Sequence, residues 1–352
     1  MTSELFPVHY STLAIAALVE QVLTQYDLPV VTQCQFWKRG MSDVYWVETV
    51  QGSFILRVSH AHWRNHSETL FELELLDFLH QRGMPVAHPL RTTTGELAIE
   101  LLAPEGKRYA ALFTYAPGQI PLGDLNETQS HQLGETVARL HIAAADFACA
   151  AQRSALDLDY LLDESLLAIA PFLQNQPELH LGLTETVIQL KATLETLPQE
   201  APYWGVCWGD PHSGNSHFTK TDQVTLFDFD QCGYGWRSFD IAKFFQVSLC
   251  TGMSYRVRDC FLVGYQSVQP LQELELKHLQ SLMQVAHIWR WAVSLNHAKY
   301  HDYSCLDYYY FNHRWQQLKM IQSIDFPWFR FLTRNKRELE SPHLSSGGSS
   351  LS

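Results

Sequence analysis

Apolar positions along the chain alternate between helical and strand-like periods before settling into a mostly helical pattern. Over 13–26 they recur at helical spacing, which predicts an N-terminal helix. Strand-like runs follow at 33–37, 44–50 and 54–58, then a helix over 66–82 and two further strands near 97–102 and 109–115. Ala116-Pro117-Gly118 then breaks the chain. Beyond it the pattern is mostly helical, at 126–150 (Leu133, Val137 and Leu140 on one face), 156–173 and 184–197. Another helix starts at Asp240, and more are expected at 253–268, 271–295 and 306–321. The pattern predicts an α+β chain in two lobes. Residues 1–115 would hold a small sheet with one main helix, and 116–341 a larger helical lobe. From Pro342 the tail PHLSSGGSSLS has the composition of a disordered terminus.

Helical phase singles out one carboxylate. At 100° per residue Glu72 falls in line with Leu76 and Leu79, amid Leu73 and Leu75, while Glu74 and Asp77 fall on the far side. A carboxylate on a buried face is costly unless paired. The nearest candidate partner is Arg57, a single cation in the otherwise apolar strand 54–58.

Composition narrows the classes. The chain has 352 residues, 46% hydrophobic and 12% aromatic, which excludes a disordered protein and permits large cores. Lys plus Arg is 25 against 37 Asp plus Glu, a net charge of −12. That balance speaks against nucleic acid and anionic membrane as partners and is compatible with a cationic substrate. No apolar run reaches the roughly 18 residues that span a bilayer, and Glu4 stands where a secretory signal would be basic. Seven scattered cysteines without a CxxC pair suggest neither a disulfide framework nor a zinc site. A cytoplasmic protein is expected.

The densest candidate chemistry lies at 206–235, VCWGDPHSGNSHFTKTDQVTLFDFDQCGYG. Asp210 precedes Asn215 by the step of a kinase catalytic loop. Leu226-Phe227-Asp228-Phe229-Asp230 reads as a buried strand that delivers a carboxylate at its exit, with Asp228 and Asp230 on one face. Phosphoryl transfer needs such parts together: a base for the attacking hydroxyl, and an amide oxygen plus a carboxylate for magnesium. Upstream, Lys38-Arg39-Gly40-Met41-Ser42-Asp43 is a turn whose backbone N–H groups could lie over phosphates. His297 and His301 have metal-ligand spacing on a helix, but no Glu sits between them and packing is the simpler reading. His60, His62 and His66 read as surface residues. The acidic run Asp157, Asp159, Asp163 and Glu164 could hold an amine in a cleft or be a solvated face, the second being the simpler reading.

From about residue 33 to 245 these features resemble the aminoglycoside phosphotransferase/choline kinase-like superfamily. The resemblance implies a protein-kinase-like bilobal fold, with a small antiparallel N-lobe sheet and a mostly helical C-lobe. It implies ATP and Mg2+ as cofactors and a small-molecule hydroxyl as acceptor. By the same resemblance Gly40, Met41 and Ser42, leading into Val44-Tyr45, would cover the nucleotide, and Arg57 with Glu72 would form the strand-cation–helix-Glu link. Phe113, Thr114, Tyr115 and Ala116 would form the adenine hinge. Leu133-Gly134 through Leu140-His141 match the family's Leu-His helix, Asp210 its catalytic base, Asn215 and Asp228 its metal ligands, and Asp240 a brace of the catalytic loop. Asp230 would contact a second metal or only the loop. Two departures stand out. Arg57 replaces the Lys of the best-studied members, keeping the charge but not the point-like ammonium. Trp208 replaces the loop's His, a position expected to pack the loop. The acceptor is not encoded in these motifs. One branch phosphorylates protein Ser/Thr, against which the short segment between Asp228 and Asp240 argues. A nucleotide-binding regulator that has lost catalysis would have only Trp208 and Arg57 as support.

Overall fold

The computed structural model describes residues 6–123, 125–301 and 306–323. A short helix α1 (Ile15–Gln21) leads into β1 (Val31–Arg39), β2 (Ser42–Thr49) and β3 (Gly52–Ser59). Helix α2 (His66–Gln81) follows, then β4 (Ile99–Ala103) and β5 (Gly106–Thr114). The five strands form one antiparallel sheet in the order β1-β2-β3-β5-β4. α2 starts at a capping box: Asn65 accepts from the Glu68 amide, and the Glu68 side chain accepts from the Asn65 amide.

Strand alternation divides β5 between two cores. Ala110 and Leu112 join Leu56, Val58 and α1 residues on one face. Ala111 and Phe113 join α2 and the helical part on the other. The sheet is thereby keyed to the rest of the molecule through alternate residues of one strand.

The helical part begins with α3 (Glu127–Ala143), followed by α4 (Glu164–Ile169) and α5 (Pro177–Leu194). Two short antiparallel pairs come next: β6 (Trp204–Cys207) with β9 (Gly233–Trp236), and β7 (Ser216–Phe218) with β8 (Val224–Leu226). Then come α6 (Arg237–Cys250), α7 (Tyr255–Val268), α8 (Glu273–His301) and α9 (Tyr308–Ser323). α3 lies against α7 at Gly134, where an added Cβ would fall 2.0 Å from the Phe261 carbonyl oxygen. Only glycine permits that approach.

Several sequence boundaries shift. The helix expected over 126–150 ends at Ala143. The stretch 156–173 is a π-helical turn, α4 and a 3-10 turn in succession. α5 starts earlier than 184, with Pro177 at its first turn, where a proline costs no hydrogen bond. The expected strand through Asp230 stops at Leu226. Asp228 takes φ = 60°, outside the strand region, so Asp228 and Asp230 do not share a strand face. Residues 342–352, expected as a disordered tail, lie outside the described residues. No helix among the described residues is long and apolar enough to cross a membrane.

Candidate active site

The loop between β6 and β7 carries Asp210 and Asn215, and the end of β8 carries Asp228. Asp240, fully buried near the start of α6, holds the loop from beneath. Its Oδ2 accepts from the Trp208 amide at 2.7 Å and its Oδ1 from the Gly209 amide at 2.8 Å. His141 of α3 adds Nε2 at 3.0 Å, and its Nδ1 meets the Tyr265 hydroxyl of α7 at 2.8 Å. His141, Cys207 and Asp240 come near enough together to suggest metal ligands. The polar atoms of His141 and Asp240 are spent on this brace, and the Cys207 thiol donates to the Trp236 carbonyl at 3.3 Å. Gly209 has φ = +86°, and a Cβ there would lie 2.0 Å from the Gln231 carbonyl oxygen, so no other residue fits the bend. Trp208 is fully buried, stacks on Phe229 and donates Nε1 to the Asp228 carbonyl at 3.2 Å. The residue that departs from the family pattern thus ties the two halves of the site together.

Asp210 sits between a lysine and a histidine that sequence reasoning did not assign. Lys243 of α6 places Nζ 3.3 Å from its Oδ1, and His212 places Nε2 3.4 Å from its Oδ2. His212 Nδ1 accepts from the Gly214 amide at 2.9 Å, so in the neutral ring Nε2 carries the proton and points it at Asp210. Burial alone would raise the Asp210 pKa; Lys243 and His212 outweigh it and hold the carboxyl below the usual range. The Lys243 ammonium is lowered by its own burial, against Asp210 and together with the nearby Arg290 charge. Asn215 donates Nδ2 to the Asp210 carbonyl at 3.1 Å, which turns its Oδ1 outward as an acceptor.

Asp228 is in the opposite electrostatic state. Withdrawal from bulk water, together with Asp230, Glu72 and Asp210, raises its carboxyl to about 6, against the pull of Arg57. Its side chain is nevertheless 49% exposed to the cleft. It is therefore a carboxylate facing an open space with too little positive charge around it. Asp228 and Asn215 Oδ1 are hard oxygen donors of the kind that magnesium takes. Asp230 is placed differently. It is buried, its Oδ2 accepts from Trp63 Nε1 at 2.5 Å, and Arg64 Nε lies 3.6 Å from its Oδ1. Arg64 and Arg153 also donate to its carbonyl. These arginines outweigh burial and keep the Asp230 carboxylate ionised. The group anchors the segment before α2.

Arg57 and Glu72 form a two-pronged ion pair: Nη1 to Oε1 at 2.8 Å and Nη2 to Oε2 at 2.6 Å. Glu72 is 1% exposed, in accord with its helical phase. Glu74 is half-buried on another face, and Asp77 pairs with Arg91 at 2.5 Å. Arg57 Nη1 is also 3.9 Å from Asp228 Oδ1, and its guanidinium lies over the Phe113 ring at 4.8 Å.

Two cavities flank this centre. The first, of about 230 Å3, is bounded by Val44, Arg57, Glu72, Asp228 and the stretch from Phe113 through Thr114 and Tyr115 to Ala116. The Ala116 carbonyl accepts from His217 Nδ1 at 2.7 Å, and Tyr115 packs edge-on against Trp46. The second, of about 810 Å3, is reached by Asp210, His212, Lys243 and Arg290. Gly40 and Met41 line this second cavity, not the first. The Gly40 amide donates to the Ser42 carbonyl at 3.0 Å, its carbonyl accepts from His297 Nε2 at 2.8 Å, and Ser42 is buried within β2. In this conformation the Gly40 amide is engaged within its own turn, and the turn is tied to α8. The side chain of His301 lies outside the described residues.

Residues 33–275 match the phosphotransferase enzyme family. The chain belongs to that family. It is a phosphotransferase with a hydroxyl group as acceptor. An uncharacterised protein of Synechocystis is 52% identical over 329 residues, covering 94% of this chain and 91% of that protein. A homoserine kinase of Xanthobacter autotrophicus is 28% identical over 286 residues, covering 78% of this chain and 83% of the enzyme. Among solved structures, an amicoumacin kinase superposes with a TM-score of 0.72 at 21% identity, covering 86% of this chain and 92% of the other. The fold is kinase-like, as the sequence resemblance implied.

Lys243, His212 and Arg290 escaped the sequence reading. Lys243 left a faint trace: a lone cation in the apolar helical run Ile241-Ala242-Lys243-Phe244-Phe245. The same reasoning that singled out Glu72 applies to it. Arg290 left none, because its neighbour in space is 47 residues away in the chain, as the numbers of Lys243 and Arg290 give.

Proposed function

We propose that this enzyme transfers the γ-phosphoryl group of ATP, with magnesium, to a hydroxyl of a small molecule. The observation that carries the reading is the convergence of Asp210, Asn215 and Asp228 beside the Arg57–Glu72 pair, between two cavities of unequal size. The smaller cavity would take the nucleotide, with adenine against the backbone from Phe113 to Ala116 and Arg57 anchoring the α/β-phosphates. Asn215 and Asp228 would hold magnesium, which neutralises charge on the β- and γ-oxygens. Asp230 would brace the loop, since Trp63 and Arg64 already engage its carboxylate. The turn at Gly40, Met41 and Ser42 would cover the phosphates after exchanging the Gly40–Ser42 bond for contacts to them. The division between lobes would fall at the 115/116 junction.

In this reading Asp210 faces the acceptor hydroxyl. Its low pKa makes it a weak proton acceptor in the ground state, so it would mainly orient the hydroxyl and take the proton late. That timing suits the loose transition state of phosphoryl transfer, where the hydroxyl acidifies only as the new bond forms. ADP release across a broad panel of metabolite alcohols tests the reading. Strong turnover with at least one small acceptor is expected. Label from ATP in protein bands of a lysate, and none in metabolites, would overturn it.

Two further outcomes are expected. Removing divalent cation with EDTA should abolish ADP release, and Asp228→Asn should raise the magnesium concentration for half-maximal activity by about tenfold or more, the loss of one charged ligand. A magnesium titration of both forms reads this directly. Glu72→Gln should weaken ATP binding by about tenfold, because the guanidinium loses a charge-assisted partner and its aim. Glu74→Gln, on another face of α2, should leave ATP affinity unchanged, and fluorescence titration with a nucleotide analogue separates the two.

A further inference from the structure

Among their described lining residues the two cavities share only Gly214. Lys243 and Arg290 therefore belong to the larger cavity and not to the proposed nucleotide cavity. The charge of that larger cavity is unusual for a protein carrying −12 overall. Among its described lining residues the one carboxylate is Asp210, and that charge is already matched by Lys243 at 3.3 Å. Arg290, half-buried on α8 one residue beyond Trp289, makes no ion pair with a carboxylate among the described residues. His212 and His297 add two further ionisable donors, the first toward Asp210 and the second toward the Gly40 carbonyl. Lys243 is 1% exposed, with its ammonium 5.0 Å from the centre of the Trp289 ring. Two cations, Lys243 and Arg290, thus line the cavity against one described carboxylate, Asp210.

The acidic run that could have received an amine is elsewhere. Asp159 and Asp163 pair with Lys191 at the surface, and Asp157 accepts from the Tyr160 amide at 2.9 Å. Glu164 lines an adjoining cavity of about 320 Å3, which shares Met41 and His297 with the larger one. None of the four reaches the larger cavity.

We propose that the larger cavity selects an acceptor alcohol bearing an oxyanion, a carboxylate or a phosphate, gripped by Arg290 and balanced by Lys243. This rests on the phosphotransferase reading above and names the acceptor class for it. The hydroxyl lies at Asp210 and the oxyanion against Arg290. A guanidinium presents parallel donors that match both oxyanions, and an uncompensated one in a concave site attracts anions from solution. A cationic acceptor would instead face Arg290 as a like charge.

Four hexose-sized probes differ mainly in charge: glucose, glucosamine, glucuronate and glucose 6-phosphate. Their Kd values, measured by calorimetry on the full chain saturated with AMP-PNP and magnesium, test the inference. Glucuronate or glucose 6-phosphate is expected to bind at least tenfold more tightly than glucose and glucosamine, and the stronger of the two identifies the oxyanion. Arg290→Met should raise that Kd by about 10- to 100-fold, as loss of a charge-assisted hydrogen bond does. Arg290→Lys should restore part of it, and glucose affinity and AMP-PNP affinity serve as controls for folding. Glucosamine binding as tightly as the anions overturns the inference, and so does an Arg290→Met protein that binds the anions as wild type does. Anion binding without ADP release from any acceptor would support the pocket while sinking the phosphotransferase reading. Turnover of amines with no response to anions would do the reverse.

Discussion

Asp210→Ala is expected to lower kcat by about 10²–10⁴ while ATP affinity changes little. The carboxylate lines the larger cavity, whereas Arg57, Glu72 and the Phe113–Ala116 stretch line the smaller one, so its removal leaves them in place. Lys243 would lose its only carboxylate contact in the described structure and remain a buried cation, which adds a stability cost to the catalytic one. Asp210→Asn separates the two effects, because it keeps the shape and one acceptor oxygen while removing the charge. Steady-state kinetics with a verified acceptor, together with nucleotide titration, measures both. Equal turnover in Asp210→Ala and wild type would remove Asp210 from the reaction.

The second large effect concerns the fold of the site and not its chemistry. Asp240→Ala should destabilise the protein by about 3–5 kcal/mol, in the range found when one partner is removed from a buried charged network. Asp240 accepts from two successive amides and from His141, all buried. Its loss strands the Trp208 and Gly209 amides and leaves His141 without a partner at Nε2. Asp240→Asn, which keeps an acceptor oxygen, should cost less. Denaturant unfolding read by tryptophan fluorescence is well suited, since Trp208 itself sits on the brace. A midpoint for Asp240→Ala within error of wild type would mean the loop holds itself without α6.

Both experiments probe features that were legible to different degrees before any coordinates. The Asp210-to-Asn215 step and the buried phase of Glu72 were readable because each is fixed by covalent spacing. A loop five residues long, or a helix with a known turn per residue, places its own side chains relative to each other. The same local logic located most helices and all five strands of the larger sheet. It failed at 226–230, where strand propensity predicts a continuous run. Packing decides otherwise: Trp208 takes the Asp228 carbonyl, two arginines take that of Asp230, and the backbone turns out of the strand at φ = 60°.

The sequence by itself determined the Asp210-to-Asn215 spacing, the lone strand cation Arg57 and the buried helical phase of Glu72. Tertiary structure alone decided which charges line the larger cavity. The chain as a whole is acidic, yet Lys243 from α6 and Arg290 from α8 line one cavity with Asp210, while Asp159 and Asp163 pair with Lys191 at the surface. The physical reason is range. Net charge sums over the whole chain without regard to place, whereas a buried charge is felt across a few ångströms of low dielectric, between residues that only the fold makes neighbours.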